Sequence, residues 1–313
     1  MTHLVNKNYE PQPYWCKLPY GMTFKNDATS VAVDSKDNVY IFSRGPVPVM
    51  IFDSEGNYLD SWGADEFLRP HGISVDHEDN LFLVDDRGHM VEKRTKEGKL
   101  IFRIGDKGKP AERQSGDIFN LPTDAIVDPD TGDIFVSDGY GNSRVHKFNS
   151  DGGHIKSWGE PGTDPGKFSL PHNITLTKDK KIIVADRENF RLQIFNTDGE
   201  FIDQWHIHHP MSVTVGPNEN IFVGEMGPPP VQEGVKNLGN SVAILSPEGK
   251  LLERIGGELP GSEPGQFVAP HGIAVDSKGS IYVAEVAWTF WYSRQPNPPI
   301  GEVPSIRKWK LID

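Results

Sequence analysis

The sequence predicts an all-β chain folded as a six-bladed β-propeller. One apolar phrase recurs six times along its 313 residues. Each copy alternates apolar and polar residues with the period of a strand, not of a helix. The last copy is one strand short, and a segment ahead of the first is left to supply it.

In five of the six copies the phrase opens with proline. It runs through an alternating strand and a polar turn into a second apolar strand that ends in an acid. The first unit reads Ala28-Thr-Ser-Val-Ala-Val-Asp34 and Val39-Tyr-Ile-Phe-Ser-Arg44. The second reads Pro70-His-Gly-Ile-Ser-Val-Asp76 and Leu81-Phe-Leu-Val-Asp-Asp86, the third Pro122-Thr-Asp-Ala-Ile-Val-Asp128 and Ile134-Phe-Val-Ser-Asp138. Pro171-His-Asn-Ile-Thr-Leu176 with Ile182-Ile-Val-Ala-Asp186 makes the fourth, and Pro210-Met-Ser-Val-Thr-Val215 with Ile221-Phe-Val-Gly-Glu225 the fifth. Pro270-His-Gly-Ile-Ala-Val-Asp276 with Ile281-Tyr-Val-Ala-Glu285 makes the sixth.

Third strands such as Val145 to Phe148 and Leu192 to Phe195 follow a short turn. Fourth strands end in Trp62-Gly63, Ile104-Gly105, Trp158-Gly159 and Ile255-Gly256. Four strands per unit of roughly 40–60 residues is the make-up of a propeller blade. The sixth unit has only three strands, the last from Ile306 to Ile312. The segment Tyr14 to Phe24 is expected to complete that blade, which removes exposed sheet edges. The reading is one propeller domain over residues 1–313, with 1–13 as an N-terminal arm.

Composition narrows the partners. The formal charge is −12 and no run of Lys and Arg forms a basic patch, so nucleic acid is not an expected partner. Cys16 is the one cysteine, which leaves no intramolecular disulfide. No apolar run has signal-peptide or membrane-span length, so no membrane partner is expected. The expectation is a soluble, cytoplasmic protein; a mature chain whose leader had been removed would read the same way.

The residue after the phrase proline holds one position in every blade, where the first strand enters beside the channel. That column reads Thr29, His71, Thr123, His172, Met211, His271. Histidine stands in every second blade, and alternate blades of a sixfold ring lie about 120° apart. Three imidazoles with an open fourth position suit zinc, or another divalent transition metal that accepts imidazole. A single histidine at such a place would be read as packing at a turn; three in one column are read as metal ligands.

A second column, at the end of the second strand, is read as Arg44, Asp86, Asp138, Asp186, Glu225, Glu285. Arg44 is its exception, either a site residue or the partner of a neighbouring acid. Tyr140 and Arg187 fall just past Asp138 and Asp186, in loops that return to the histidine side. Two insertions, 227–240 and 287–304, open there too, the second carrying Trp288, Phe290, Trp291 and Tyr292. These aromatics read equally as a self-packed loop or a substrate wall. His206-Ile-His208-His209 is read as a solvated loop rather than a ligand set, with outer contact to the site as the minority reading.

The repeats resemble NHL repeats over nearly the whole chain. At the positions above, the sequence is similar to peptidyl-α-hydroxyglycine α-amidating lyases. Their zinc histidines stand in Pro-His contexts like Leu68-Arg-Pro-His71, Leu170-Pro-His172 and Ala269-Pro-His271. Their catalytic tyrosine lies in a segment like Gly139-Tyr-Gly-Asn-Ser-Arg144, and their arginines match Arg44 and Arg187.

The resemblance implies a carbon–nitrogen lyase that splits a carbinolamide into an amide and an aldehyde such as glyoxylate. Metal on His71, His172 and His271 would bind the substrate hydroxyl, and Tyr140 as phenolate would remove its proton. A free tyrosine has a pKa near 10, so Arg44, Arg187 and the metal would have to favour the phenolate. The arginines could also grip the carboxylate of a small-molecule or peptide substrate.

The chain departs from the family in several places. Gly272 stands where the family has a calcium-binding aspartate, which leaves a structural calcium open. Ala269 replaces a methionine and Gly141 a cysteine, and no hydroxylating domain is present in this sequence. A metal-dependent hydrolase of a small ester or amide is a second reading, and a non-catalytic NHL platform for protein binding a third.

Overall fold

A computed structural model describes residues 8–25, 27–227, 235–297 and 303–312. The described residues form six four-stranded antiparallel sheets, each of consecutive strands except the one that takes in the N-terminus. This is the all-β, six-bladed propeller that the repeat predicts. Among the described residues, helix is confined to Ala287–Phe290 and to short 3₁₀ turns.

The residues of the phrase explain each blade. The second strands Val39–Ser43, Leu81–Asp85, Ile134–Asp138, Ile182–Asp186, Ile221–Glu225 and Ile281–Glu285 have no exposed position. A strand covered on both faces reads as a near-continuous apolar run, which is how these appear in the sequence. Outer strands such as Leu100–Ile104 and Phe201–His206 are mostly exposed or half-buried.

Between first and second strands, the aspartate that closes the first strand shapes the turn. Asp76 Oδ1 accepts from the backbone N–H of Glu78 at 2.9 Å and of Asn80 at 2.8 Å. Asp34 and Asp276 do the same for their own turns. An Asx turn of this kind satisfies backbone donors that the tight reversal would strand.

The acid ending the second strand is also structural. Asp85 accepts from Leu68 and Arg69 N–H, Asp186 from Ser169 N–H, and Glu285 from Val268 and Ala269 N–H. Each thereby ties down the segment that leads into its own blade. Each of four such carboxylates also meets a basic side chain: His146 on Asp138, Arg191 on Asp186, Arg254 on Glu225 and Arg307 on Glu285. Buried charge is tolerated because it is paired and hydrogen-bonded.

Contacts divide the chain into two compact units, 62–213 and 1–61 with 214–313. The first holds blades two, three and four around clusters that include Phe82, Phe119, Phe148, Phe135, Phe168 and Phe195. The second is built on clusters that include Phe52 and Tyr282, and Phe222, Phe267 and Trp309.

Two strand positions differ from the sequence reading. The N-terminal strand of the sixth blade is Tyr9–Pro11, paired antiparallel with Leu311 to Trp309, and not Tyr14 to Phe24. It lies inside the segment read as an arm. Three residues sufficed because Tyr9 anchors them in the cluster of Trp309, whereas the exposed Tyr14 has positive φ and cannot extend a strand. The third blade begins at Asp124, two residues after its proline.

Candidate active site

In the unit 62–213, His71 and His172 hold the second position of Pro70–Val75 and Pro171–Leu176, and both are buried. The Nδ1–H of His71 donates to the carbonyl of Thr123 at 2.6 Å, and that of His172 to the carbonyl of Met211 at 2.6 Å. Thr123 and Met211 occupy the same column in the next blade. The carbonyls fix one tautomer, in which Nε2 carries a lone pair, as on metal-binding imidazoles. The ligand nitrogens of the two rings lie within 4.8 Å of one another.

Tyr140 stands between them. Its hydroxyl is 3.0 Å from Nε2 of His71 and 3.0 Å from Nε2 of His172. The phenol has one proton to give and faces two acceptor nitrogens, a set of lone pairs that suits a cation. The donor chemistry therefore fits a divalent transition metal.

The loop around Tyr140 is built to hold it. A side chain at Gly139 would meet the carbonyl oxygen of Pro171 at 2.0 Å, and one at Gly141 would meet Asn120 Oδ1 at 2.0 Å. Only glycine allows backbone to come so close on both sides. Asn142 donates to Asp138 at 2.9 Å, and buried His146 meets the same carboxylate at 3.2 Å. The cation of Arg187, also buried, lies 5.7 Å from the Tyr140 ring centre.

The unit 1–61 with 214–313 carries the remaining predicted residues. His271 is buried and its Nδ1–H donates to the carbonyl of Thr29 at 2.6 Å, the arrangement seen for His71 and His172. Arg44 is paired with Asp27 at 3.1 Å and donates to Thr289 at 3.2 Å.

Gly272 has a structural cause. A side chain there would meet Ser30 Cα at 2.5 Å and the Thr29 carbonyl oxygen at 3.0 Å. The carboxylate through which the resemblance would bind calcium is neither present nor insertable without moving a strand, so these residues do not fit that calcium site.

The second column needs correction. Strand register pairs Ala28 with Ser43, Pro70 with Asp85, Pro171 with Asp186 and Pro270 with Glu285. The acid column is thus Ser43, Asp85, Asp138, Asp186, Glu225, Glu285, and its exception is Ser43. Arg44 and Asp86 lie one residue further on, in the column of Arg187. The adjacent acids Asp85 and Asp86 caused the slip. Correctly aligned, Arg44 and Arg187 are equivalent residues of blades one and four.

Phe290, Trp291 and Tyr292 pack against Val268, Ala269, Val286, Ala287 and Val303, which favours the self-packed loop. Residues 228–234 and 298–302 of the two insertions lie outside the described residues. His209 is not solvated: it is buried, stacks on Phe190 and reaches Glu188.

Sequence reasoning missed Glu188 and Asp124. Asp124 follows Thr123 and is buried, and burial pushes its carboxyl up to about 8 against hydrogen bonds from the Ala125 and Ile174 backbone. Its place one residue beyond the histidine column, where Gly72 and Asn173 stand in the flanking blades, was the available signal.

Fold and site together define a six-bladed propeller with a buried histidine–tyrosine cluster. A profile of the NHL repeat matches residues 119–148 and 168–195. NHL repeat-containing protein 3 of Homo sapiens is 33% identical over 87% of this chain and 80% of its own. The chain belongs to the NHL-repeat family. Peptidyl-alpha-hydroxyglycine alpha-amidating lyase 1 of Drosophila melanogaster is 30% identical over 90% of this chain and 59% of its own.

The peptidyl-glycine alpha-amidating monooxygenase of Mus musculus is 31% identical over 84% of this chain. The alignment spans only 30% of that protein's length. Among solved structures, a streptogramin B lyase superposes with a TM-score of 0.62 over 97% of this chain and 98% of its own, at 13% identity, a likeness of fold alone.

Proposed function

We propose that the protein is a metal-dependent carbon–nitrogen lyase acting on an α-hydroxyglycine-like carbinolamide and releasing an amide and glyoxylate. The observation that carries this reading is the Tyr140 hydroxyl, 3.0 Å from Nε2 of both His71 and His172. The relatives named as amidating lyases support the same reading.

His71, His172 and His271 would hold the ion, zinc by preference for three imidazoles. Bound there, it would supply Lewis-acid polarisation of the substrate hydroxyl. Tyr140, as the phenolate, takes the hydroxyl proton. The electrons of the O–H bond form the aldehyde carbonyl, the C–N bond breaks, and Tyr140 returns the proton to the departing amide nitrogen. Arg187, with Arg44 by resemblance, would bind the substrate carboxylate.

The test is elemental analysis with a product assay. Wild type should carry about one zinc per chain and His172→Ala should lose most of it. An N-acyl α-hydroxyglycine should then yield glyoxylate. Tyr140→Phe should keep the metal and lose about 10²–10⁴-fold in kcat, the range for a general acid–base residue. A wild type that neither holds nor takes up zinc would leave a binding platform. Ester or amide hydrolysis without glyoxylate would assign the site to a hydrolase.

A further inference from the structure

The histidine stretch 206–209 and the acid beside Arg187 play no part in that chemistry, yet they meet. Arg187 Nε–H donates to Glu188 Oε1 at 2.7 Å, and His209 Nε2 lies 3.5 Å from the same carboxylate. Phe190, which has left-handed φ, stacks on the His209 ring with centres 4.9 Å apart and planes 19° apart. The imidazole is thus buried edge-on to the carboxylate.

Two residues on, the same strand entrance serves the site directly. Met211 Sδ lies 3.8 Å from Arg187 Nη1, and its carbonyl accepts from His172 Nδ1 at 2.6 Å. The stretch 209–211 therefore meets Arg187 directly through Met211 and indirectly through His209 on Glu188, and it orients His172. The Glu188 carboxyl is drawn down to about 2, first by the hydrogen bond from His209 and also by the charge of Arg187, against the effect of burial.

We infer that Glu188 and His209 are positioning residues for Arg187: Glu188 holds the guanidinium beside Tyr140, and His209 holds Glu188. This rests on the proposed function only for its catalytic consequence. The placement of Arg187 can be read without turnover. Its Nε–H, assigned with Arg187→Lys, should exchange slowly with solvent in ¹⁵N spectra of the full chain.

His209→Ala should speed that exchange about tenfold or more, the order of effect expected when a hydrogen bond to a charged group is lost. His209→Gln, which keeps an N–H donor near the position of Nε2, should restore most of it, and Glu188→Gln should behave as His209→Ala does. With an α-hydroxyglycine substrate, His209→Ala should raise KM more than it lowers kcat, since carboxylate binding is what loosens.

Unchanged exchange and KM in a folded His209→Ala variant would overturn the inference. So would an exchange that His209→Gln fails to restore. If the wild type releases no glyoxylate but the exchange rates follow this order, the lyase reading fails and the positioning role stands.

Discussion

Asp124 shows how far a single residue can escape sequence reasoning. An acid inside Pro122-Thr-Asp-Ala-Ile-Val-Asp128 reads as one more residue of the repeat phrase, because its neighbours in space come from other blades. In the fold, Asn173 of the next blade donates to its Oδ2 at 2.5 Å. Its carboxyl is raised to about 8 by burial, whereas the unfolded chain ionises it near 4. Between those pH values the folded state binds the extra proton, so this group's contribution is complete below about pH 4 and is lost as pH rises to about 8. Asp124→Asn keeps an oxygen for Asn173 and cannot ionise. Urea unfolding of metal-free protein should show the variant gaining on wild type from pH 5 to pH 8, by at most about 4 kcal/mol from linkage over three units. An equal difference at both pH values would refute the assignment. Glu188 escaped for a similar reason: its partner His209 is 21 residues away in sequence and in the next blade. The histidine column was legible because one repeat position can be compared six times.

At the scale of strands, the first strands of blades two, four and six are each set against the next by a matched contact from histidine to a carbonyl. His271 and Gly272 lie side by side on Pro270–Val275. The first binds the Thr29 carbonyl and the second leaves room for that strand to come so near. A methyl group at 272 would have to displace backbone, because it meets Ser30 Cα at 2.5 Å. Gly272→Ala should therefore cost about 1–3 kcal/mol, the usual range for overpacking a tight site. It should also weaken metal binding about 10–100-fold, because Thr29 orients the imidazole. Thermal melting with a zinc titration measures both; a variant with wild-type melting and affinity would show that the strands part freely. Strand existence was legible because alternation and Asx turns are local. The second column slipped by one in blades one and two because Asp85-Asp86 offers two acids and Ser43-Arg44 none. Only pairing register, as in Pro70 with Asp85, decides between them. The strand Tyr9–Pro11 was missed because three residues are too few for a period to show.

For the whole molecule, the proposed ion is a ligand of the folded state, with histidines from blades two, four and six. An unfolded chain separates those imidazoles by long loops, so metal binds it weakly and shifts the equilibrium toward the fold by mass action. Free ion at a hundred times Kd contributes about 2.7 kcal/mol, and at a thousand times about 4.1 kcal/mol. A chain of this size has a large unfolding entropy, and a stabilisation of that order raises Tm by several degrees. Chelation of wild type should therefore lower Tm by several degrees, and added zinc should restore it in a concentration-dependent way. His172→Ala should start near the chelated value and respond little to either treatment. Tyr140→Phe should follow wild type, because the imidazoles that hold the metal are intact. That pattern separates ligands from acid–base residues by thermodynamics alone, without a substrate. If chelation left the Tm of zinc-loaded wild type unchanged, the three histidines would not share an ion, and their matched hydrogen bonds at 2.6 Å would serve the packing of neighbouring blades instead.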